Sequence, residues 1–361
     1  MKKDKNFYAL ILAGGLGSRF WPASKESLPK QFIDLTGSGK TLIQETFIRI
    51  QKIIQIENIF ISTSEKYKDL VLKQIPNINL NNLICEPLKR NTGPSILYAS
   101  LKINQINKKS KVIVLPSDHY IKKLNEFYKN VEQAFSVSKS DRLVTFGINP
   151  HFPSTNYGYI EVNDTKESFQ KVLRFTEKPG KELAEKFLRS NMHFWNSGIF
   201  IWSTESILNA FKIFEPDLIK TFKKNLRNFD SDEEIHFFKI IFPKIKSSSI
   251  DYSILEKAQN TYVIKSDFEW SDLGTWESLF ETLSKKNIKK NINIGFKEIY
   301  LNSSDGNIMF SDQKKIIILD SLHDYIVVNN KEMLMIVPRK KIESIQNLRE
   351  ILVKRFGNDF N

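Results

Sequence analysis

Cysteine is nearly absent: Cys85 is the only one in 361 residues. No intramolecular disulfide can form and no paired thiolates exist for a metal site, so a reducing, cytoplasmic setting is expected. Glycine (14) and proline (12) are sparse, which excludes collagen-like and low-complexity chains. Long apolar runs are also missing. Nothing approaches the roughly 20 residues of a membrane span, and Phe7 to Ala13 is too short and lacks the cleavage site of a signal peptide. Acidic residues are outnumbered, 41 Asp and Glu against 54 Lys and Arg, leaving a formal charge of +13 and pointing to an anionic partner. The cations are spread along the chain without zinc-finger spacing, RNP-type aromatics or a basic heptad region, so neither a nucleic-acid nor a membrane partner is expected.

What is present is a globular composition, 41% hydrophobic and 12% aromatic, over a length that fits about two domains. Tyr8 to Ala13, Ile59 to Thr63 and Val112 to Leu115 read as buried strands, and Leu42 to Ile54 and Pro94 to Ile106 as helices. That alternation predicts an α/β fold whose ligands bind at the carboxyl ends of parallel strands. Lys285, Lys286, Lys289 and Lys290 form a basic linker, followed by strand-like runs at Lys315 to Leu319 and Tyr325 to Val328 and a helical pattern over Ile342 to Arg355. The expected division is therefore 1–285 and a small β-rich domain over 286–361.

Chemistry concentrates where strands end. The first strand runs into Gly14, Gly15, Leu16, Gly17, Ser18 and Arg19, a turn whose backbone amides can face phosphate, with Arg19 supplying a fork of donors and Lys30 a second cation. Gly37 to Thr41 mimics the tail of a P-loop, but Asp34 stands where the first glycine is required, so a loop before a helix is the better reading. Asp118, directly after the third strand, can hold a hard cation or cap a turn, and His119 reads as a packing residue. Asp272, between Trp270 and Trp276, can line a site or act as the N-cap of a helix over Trp276 to Leu283. Tyr157 and Tyr159 around Gly158 suit a sugar or an ordinary strand, Trp195 reads as half core, and Asn196 can read hydroxyls. Asp251 and Tyr252 are ambiguous and lean toward a structural role near the site.

Taken together, these segments resemble the mannose-1-phosphate guanylyltransferases. Eight motifs carry the resemblance in order: GGLGSRFWPASKESLPKQF (14–32), EPLKRNTGPSI (86–96), PSDHYI (116–121), YGYIE (157–161), FTEKP (175–179), WNSGIF (195–200), SIDYSILEK (249–257) and WSDLGTW (270–276). The resemblance implies a Rossmann-like nucleotide-diphospho-sugar transferase domain with a mixed, mostly parallel sheet, and a C-terminal domain like a short left-handed β-helix. It implies that GTP and α-D-mannose 1-phosphate yield GDP-mannose and pyrophosphate by in-line attack on the α-phosphorus with Mg²⁺. Gly14, Gly15, Gly17, Arg19 and Lys30 would then hold the triphosphate and leaving pyrophosphate, and Glu86, Arg90, Asn91 and Thr92 lie in the nucleotide-side motif. Gly158, Glu177, Lys178 and Asn196 would line the sugar phosphate, with Lys178 on its phosphate, and Asp118 and Asp272 would hold the metal.

Leu16, Phe20, Ala23, Lys25 and Gly93 depart from residues common in the family without removing a charge at a phosphate contact. Five scattered histidines and the chain length favour the single-activity form, without a phosphomannose isomerase domain, and a homodimer is a candidate assembly. The alternatives are a guanylyltransferase for manno-heptose or glucose 1-phosphate, and a catalytically silent regulatory relative.

Overall fold

The computed structural model describes residues 3–138, 141–285, 287–342 and 344–357. Lys286, of the expected basic linker, lies outside them. The chain forms two compact units, one of Met1–Gly14, Phe47–Pro116 and Ile121–Trp270, the other of Gly15–Thr46, Ser117–Tyr120 and Ser271–Asn361.

The first unit is built on a ten-stranded sheet. Its strands are β1 (Phe7–Ala13), β2 (Ile59–Ser64), β3 (Leu83–Glu86), β4 (Lys111–Pro116), β5 (Leu143–Ile148), β6 (Tyr159–Glu161), β7 (Phe169–Lys171), β8 (Arg174–Thr176), β9 (His193–Ser203) and β10 (Thr261–Ser266). Their order is β3-β2-β1-β4-β9-β5-β10-β7, with β6 joining β9 to β8. Strands β1 to β4 pair in parallel, β9 runs antiparallel to both neighbours, and β10 returns parallel to β5, giving the mixed, mostly parallel sheet that the family resemblance implies.

Alternation explains why these runs are apolar throughout. Tyr8, Leu10, Val112 and Val114 join a core with Ile96 and Ile103 of the helix Thr92–Ile106 and Ile207 and Phe211 of the helix Thr204–Phe214. The alternate positions Ala9, Ile11, Ile113 and Leu115 are equally buried, so both faces of the sheet are covered. The parallel register also aligns strand ends: Leu12 of β1 lies opposite Pro116, Ala13 opposite Thr63, and Ser64 opposite Glu86.

The second unit carries β11 (Ile292–Ile294), β12 (Glu298–Asn302), β13 (Ile308–Ser311), β14 (Ile316–Asp320), β15 (Tyr325–Asn329) and β16 (Leu334–Pro338). Rungs β11, β13 and β15 stack in parallel, as do β12 and β14, and β16 closes one edge antiparallel. Buried Asn307 ties successive rungs, donating to Asn291 Oδ1 and Leu322 O while its own Oδ1 accepts from Tyr325 N. A helix, Ser344–Phe356, follows.

One apolar cluster in this unit joins Phe20 and Trp21 of the opening motif, and Ile33 and Leu35 just after it, to Trp276, Phe310, Val328 and Ile345. Trp276 is fully buried, edge-on to Phe20 at 5.1 Å and to Phe310 at 6.0 Å, and donates from Nε1 to Trp21 O at 3.4 Å. Trp276→Ala should cost about 3–5 kcal/mol, because this packing cannot collapse around an alanine. Its urea-denaturation midpoint, compared with the wild type, checks this.

Candidate active site

The glycine turn after β1 divides by purpose. A Cβ on Gly14 or Gly15 would meet no protein atom within 4 Å, so packing does not demand glycine there. Gly17 is required by the fold itself: its φ is +63°, and a Cβ would collide with Cβ of Lys30. Gly17 opens the short turn Ser18–Phe20, and its carbonyl accepts from Ser24 Oγ at 2.6 Å. Arg19 stands exposed on that turn, with no side-chain hydrogen bond or ion pair among the described residues. Gln31 Nε2 donates to Gly15 O at 3.0 Å.

Lys30 is 4% exposed. Its ammonium lies 3.0 Å from Asp118 Oδ2, 2.7 Å from Asp272 O and 2.8 Å from Leu273 O, with the Phe20 ring 5.6 Å away. Three donors therefore meet three oxygens. Burial, the largest influence, pushes the Asp118 carboxyl up, but the Lys30 ammonium, the nearby His119 and hydrogen bonds together bring its pKa below the usual range. The Asp272 carboxylate folds back to accept from Gly274 N at 2.9 Å, and a Cβ on Gly274 would lie 2.9 Å from Asp272 Oδ2. Asp272 is not the N-cap of the following helix. Thr275 is, in a reciprocal box with Ser278.

The Gly37 to Thr41 loop spends its amides internally. Asp34 accepts from Gly37 N at 2.8 Å and Gly39 N at 2.7 Å, and from Thr36 N and Ser38 N at 3.2 Å, so a carboxylate already fills the place a phosphate would take.

In the sheet unit, Glu86 ends β3. Oε1 accepts from Ser62 Oγ at 2.8 Å and from Ser95 Oγ, yet burial dominates and raises the carboxyl above its ordinary pKa. Asn91 caps the helix Thr92–Ile106 through Thr92 N, with φ +66°. The Thr92 hydroxyl accepts from Ile250 N at 2.9 Å, and Arg90 donates from Nη2 to Pro243 O. Gly93 fits tightly, since a Cβ would lie 2.9 Å from Ser248 O.

A second constellation in this unit gathers Gly158, Glu177, Lys178 and Asn196. Asn196 N donates to Gly158 O at 2.8 Å, a Cβ on Gly158 would lie 2.5 Å from Glu177 Oε2, and Lys178 Nζ is 3.1 Å from Glu177 Oε1. The pairing of β9 with β5 shifts register between Asn196 and Phe200, where Gly198 takes φ +69°. This bulge orients the Asn196 amide. Its Oδ1 accepts from Thr145 Oγ1 at 3.0 Å and Gly198 N at 3.2 Å, and its Nδ2 reaches Asp251 Oδ1 at 3.3 Å.

A match to the nucleotidyl transferase family covers residues 8–290. A mannose-1-phosphate guanylyltransferase of Escherichia coli is 32% identical over 94% of this chain and 74% of its own length. The enzyme of that name from Klebsiella pneumoniae is 32% identical over 97% and 75%. This chain belongs to the mannose-1-phosphate guanylyltransferase family of nucleotidyl transferases. A crystal structure described as mannose-1-phosphate geranyltransferase from Thermus thermophilus shares its fold, with a TM-score of 0.86 at 24% identity over 96% of this chain and 99% of that one.

Asp251, which the sequence places near the site in a structural role, has a strongly displaced pKa. It opens a π-helical turn, Asp251–Leu255, where burial first and the neighbouring Glu177 charge second push its pKa up to about 7, with Glu256 adding and Lys178 opposing. Its place inside the SIDYSILEK motif is the only signal the chain offers, because its partners are Asn196, 55 positions away, and the Glu177 loop.

The unfolded chain loses this proton near 3.8, whereas the folded chain keeps it to about 7. The stabilisation is therefore complete below pH 3.8 and lost as pH rises through 7. Asp251→Asn should melt about 2–4 °C above the wild type at about pH 8, with the gap closing toward about pH 4. Thermal melts across that range check the sign.

Proposed function

We propose that this protein transfers the guanylyl group of GTP to α-D-mannose 1-phosphate, giving GDP-mannose and pyrophosphate. The observation that carries the reading is the Lys30 ammonium, 3.0 Å from Asp118 and 2.7 Å from a carbonyl 242 positions along the chain, which joins three family motifs through one buried cation. On this reading 1–285 form the nucleotidyltransferase domain and 286–361 the small C-terminal domain. We propose further that the protein works in the cytoplasm as a homodimer. Among the described residues no helix is long and apolar enough to cross a membrane.

The roles follow from the residues' chemistry. Gly14 and Gly15 leave backbone open to a phosphate chain, and the guanidinium of Arg19, unpaired among the described residues, neutralises charge growing on the departing pyrophosphate. Lys30, its three donors already engaged, serves mainly to fix Asp118 and the Asp272–Leu273 backbone. Glu86, Arg90, Asn91 and Thr92 form the nucleotide side. A carboxylate such as Glu86, with both serine hydroxyls on Oε1, keeps Oε2 as an acceptor for the N–H groups of a base.

Glu177 and Asn196 read sugar hydroxyls beside Gly158, and Lys178, its side chain 55% exposed, takes the sugar phosphate. Bringing two polyanions into line is the main task, so no protein nucleophile is required.

A divalent cation fits the carboxylates of Asp118 and Asp272, both hard oxygen donors, of which Asp118 already holds an ammonium. We assign Mg²⁺ there, and when bound it supplies charge neutralisation at the α-phosphate.

Pyrophosphate release should be fastest with GTP and mannose 1-phosphate when GTP, ATP, UTP and dTTP are each paired with mannose or glucose 1-phosphate. No turnover with any pair would sink the proposal. Asp272→Asn should lower kcat by about 10²–10³-fold in a folded protein, the scale of losing a charge-stabilising group. Lys178→Ala should raise KM for mannose 1-phosphate roughly tenfold, the scale of one charge-assisted hydrogen bond, and steady-state kinetics would show it misassigned if only the KM for GTP moved.

A further inference from the structure

We propose that Gln346 and Asn330 are positioning residues for the turn that bears Arg19, so that the arginine works only while the C-terminal residues hold its backbone. This rests on the reading of Arg19 as a phosphate-handling residue.

The turn Ser18–Phe20 is three residues long, and Gly17 at its start contributes no side-chain cap. Such a short turn has little stability of its own, and its geometry comes from what grips it. Gln346, on the C-terminal helix, donates from Nε2 to Ser18 O at 3.1 Å. Asn330, after β15, donates from Nδ2 to Pro22 O at 2.9 Å. The two amides hold the chain on either side of Arg19 from positions 328 and 308 residues downstream of their partners.

Each anchor is itself rigid. Asn330 is 7% exposed, and its Oδ1 accepts from Glu332 N at 2.9 Å and Met333 N at 2.8 Å, which fixes the amide plane. Glu332 then pairs with Lys25, on the far side of the opening motif. Ile345, next to Gln346, is 1% exposed in the same apolar cluster as Phe20 and Trp21. Both anchors lie beyond residue 290, where the family match ends. A long guanidinium can be misplaced by a small backbone shift, and about 1 Å at a reacting centre can cost 10²-fold.

Two isosteric variants separate positioning from folding. Gln346→Met keeps the length and apolar stem of the side chain, and Asn330→Asp keeps Oδ1; each removes the donor. Both should lower kcat/KM for GTP by about three- to tenfold, the scale of one hydrogen bond. KM for mannose 1-phosphate should hold steady in both, and Gln346→Met, which adds no charge, should melt within about 2 °C of the wild type. In an Arg19→Ala background neither should cause further loss, because its effect runs through that side chain. Trypsin should cleave after Arg19 faster in both variants, a readout independent of turnover.

Full activity, a raised KM for mannose 1-phosphate, or losses that add to Arg19→Ala would overturn the proposal. So would unchanged cleavage after Arg19 in both variants of an enzyme that turns over. An inactive wild type would instead remove the functional reading beneath it.

Discussion

A buried ammonium must be surrounded by oxygen, and the way Lys30 meets that demand organises the second unit. Desolvating a cation costs several kcal/mol, and an incomplete set of partners would leave most of it uncompensated. Asp118 supplies the charge and the Asp272 and Leu273 carbonyls supply the rest. The aliphatic stem of Lys30 occupies the space where Gly17 would otherwise carry a Cβ, so the glycine turn and the lysine are one packing decision. The motifs at 14–32, 116–121 and 270–276 cohere because one side chain needs all three.

The sheet unit applies a different rule, carboxylates held where burial raises their pKa. Glu86 is buried with two hydroxyls on one oxygen, and Asp251 sits against the Asn196 amide with Glu177 nearby. On the proposed reading groups like these accept hydrogen bonds from a ligand without presenting a dense field of negative charge to its phosphates. The cations stand apart from them in character. Arg19 is exposed and unpaired among the described residues, and Lys178 is half exposed, paired with Glu177. On the proposed reading most of the +13 excess plays no part in the chemistry, and a few cations with the right neighbours do.

Much of the frame is written locally. β-branched runs such as Ile59 to Thr63 and Val112 to Leu115 form strands because both faces are covered, and the helices at 42 and 92 start within two residues of where the pattern changes. Boundaries differ where a cap decides them: Asn91 advances one helix to Thr92, and Thr275 takes the capping role that Asp272 is chemically able to fill. Asp251 is hard to value from the chain alone because its meaning lies in a proton governed by the charges around it, and the strongest of those, Glu177, is distant in sequence.

The sequence by itself determined the strands, the glycine turn, the order of the motifs and hence the family, since each is a matter of local residue type and spacing. Only the tertiary structure decided that Lys30 is fully engaged, that Arg19 has no partner among the described residues, that Asp251 holds its proton to about 7, and that Gln346 and Asn330 grip the turn beside Arg19. The reason is that hydrogen bonding, desolvation and charge act through space over a few ångströms, and residues at opposite ends of the chain become neighbours only when it has folded.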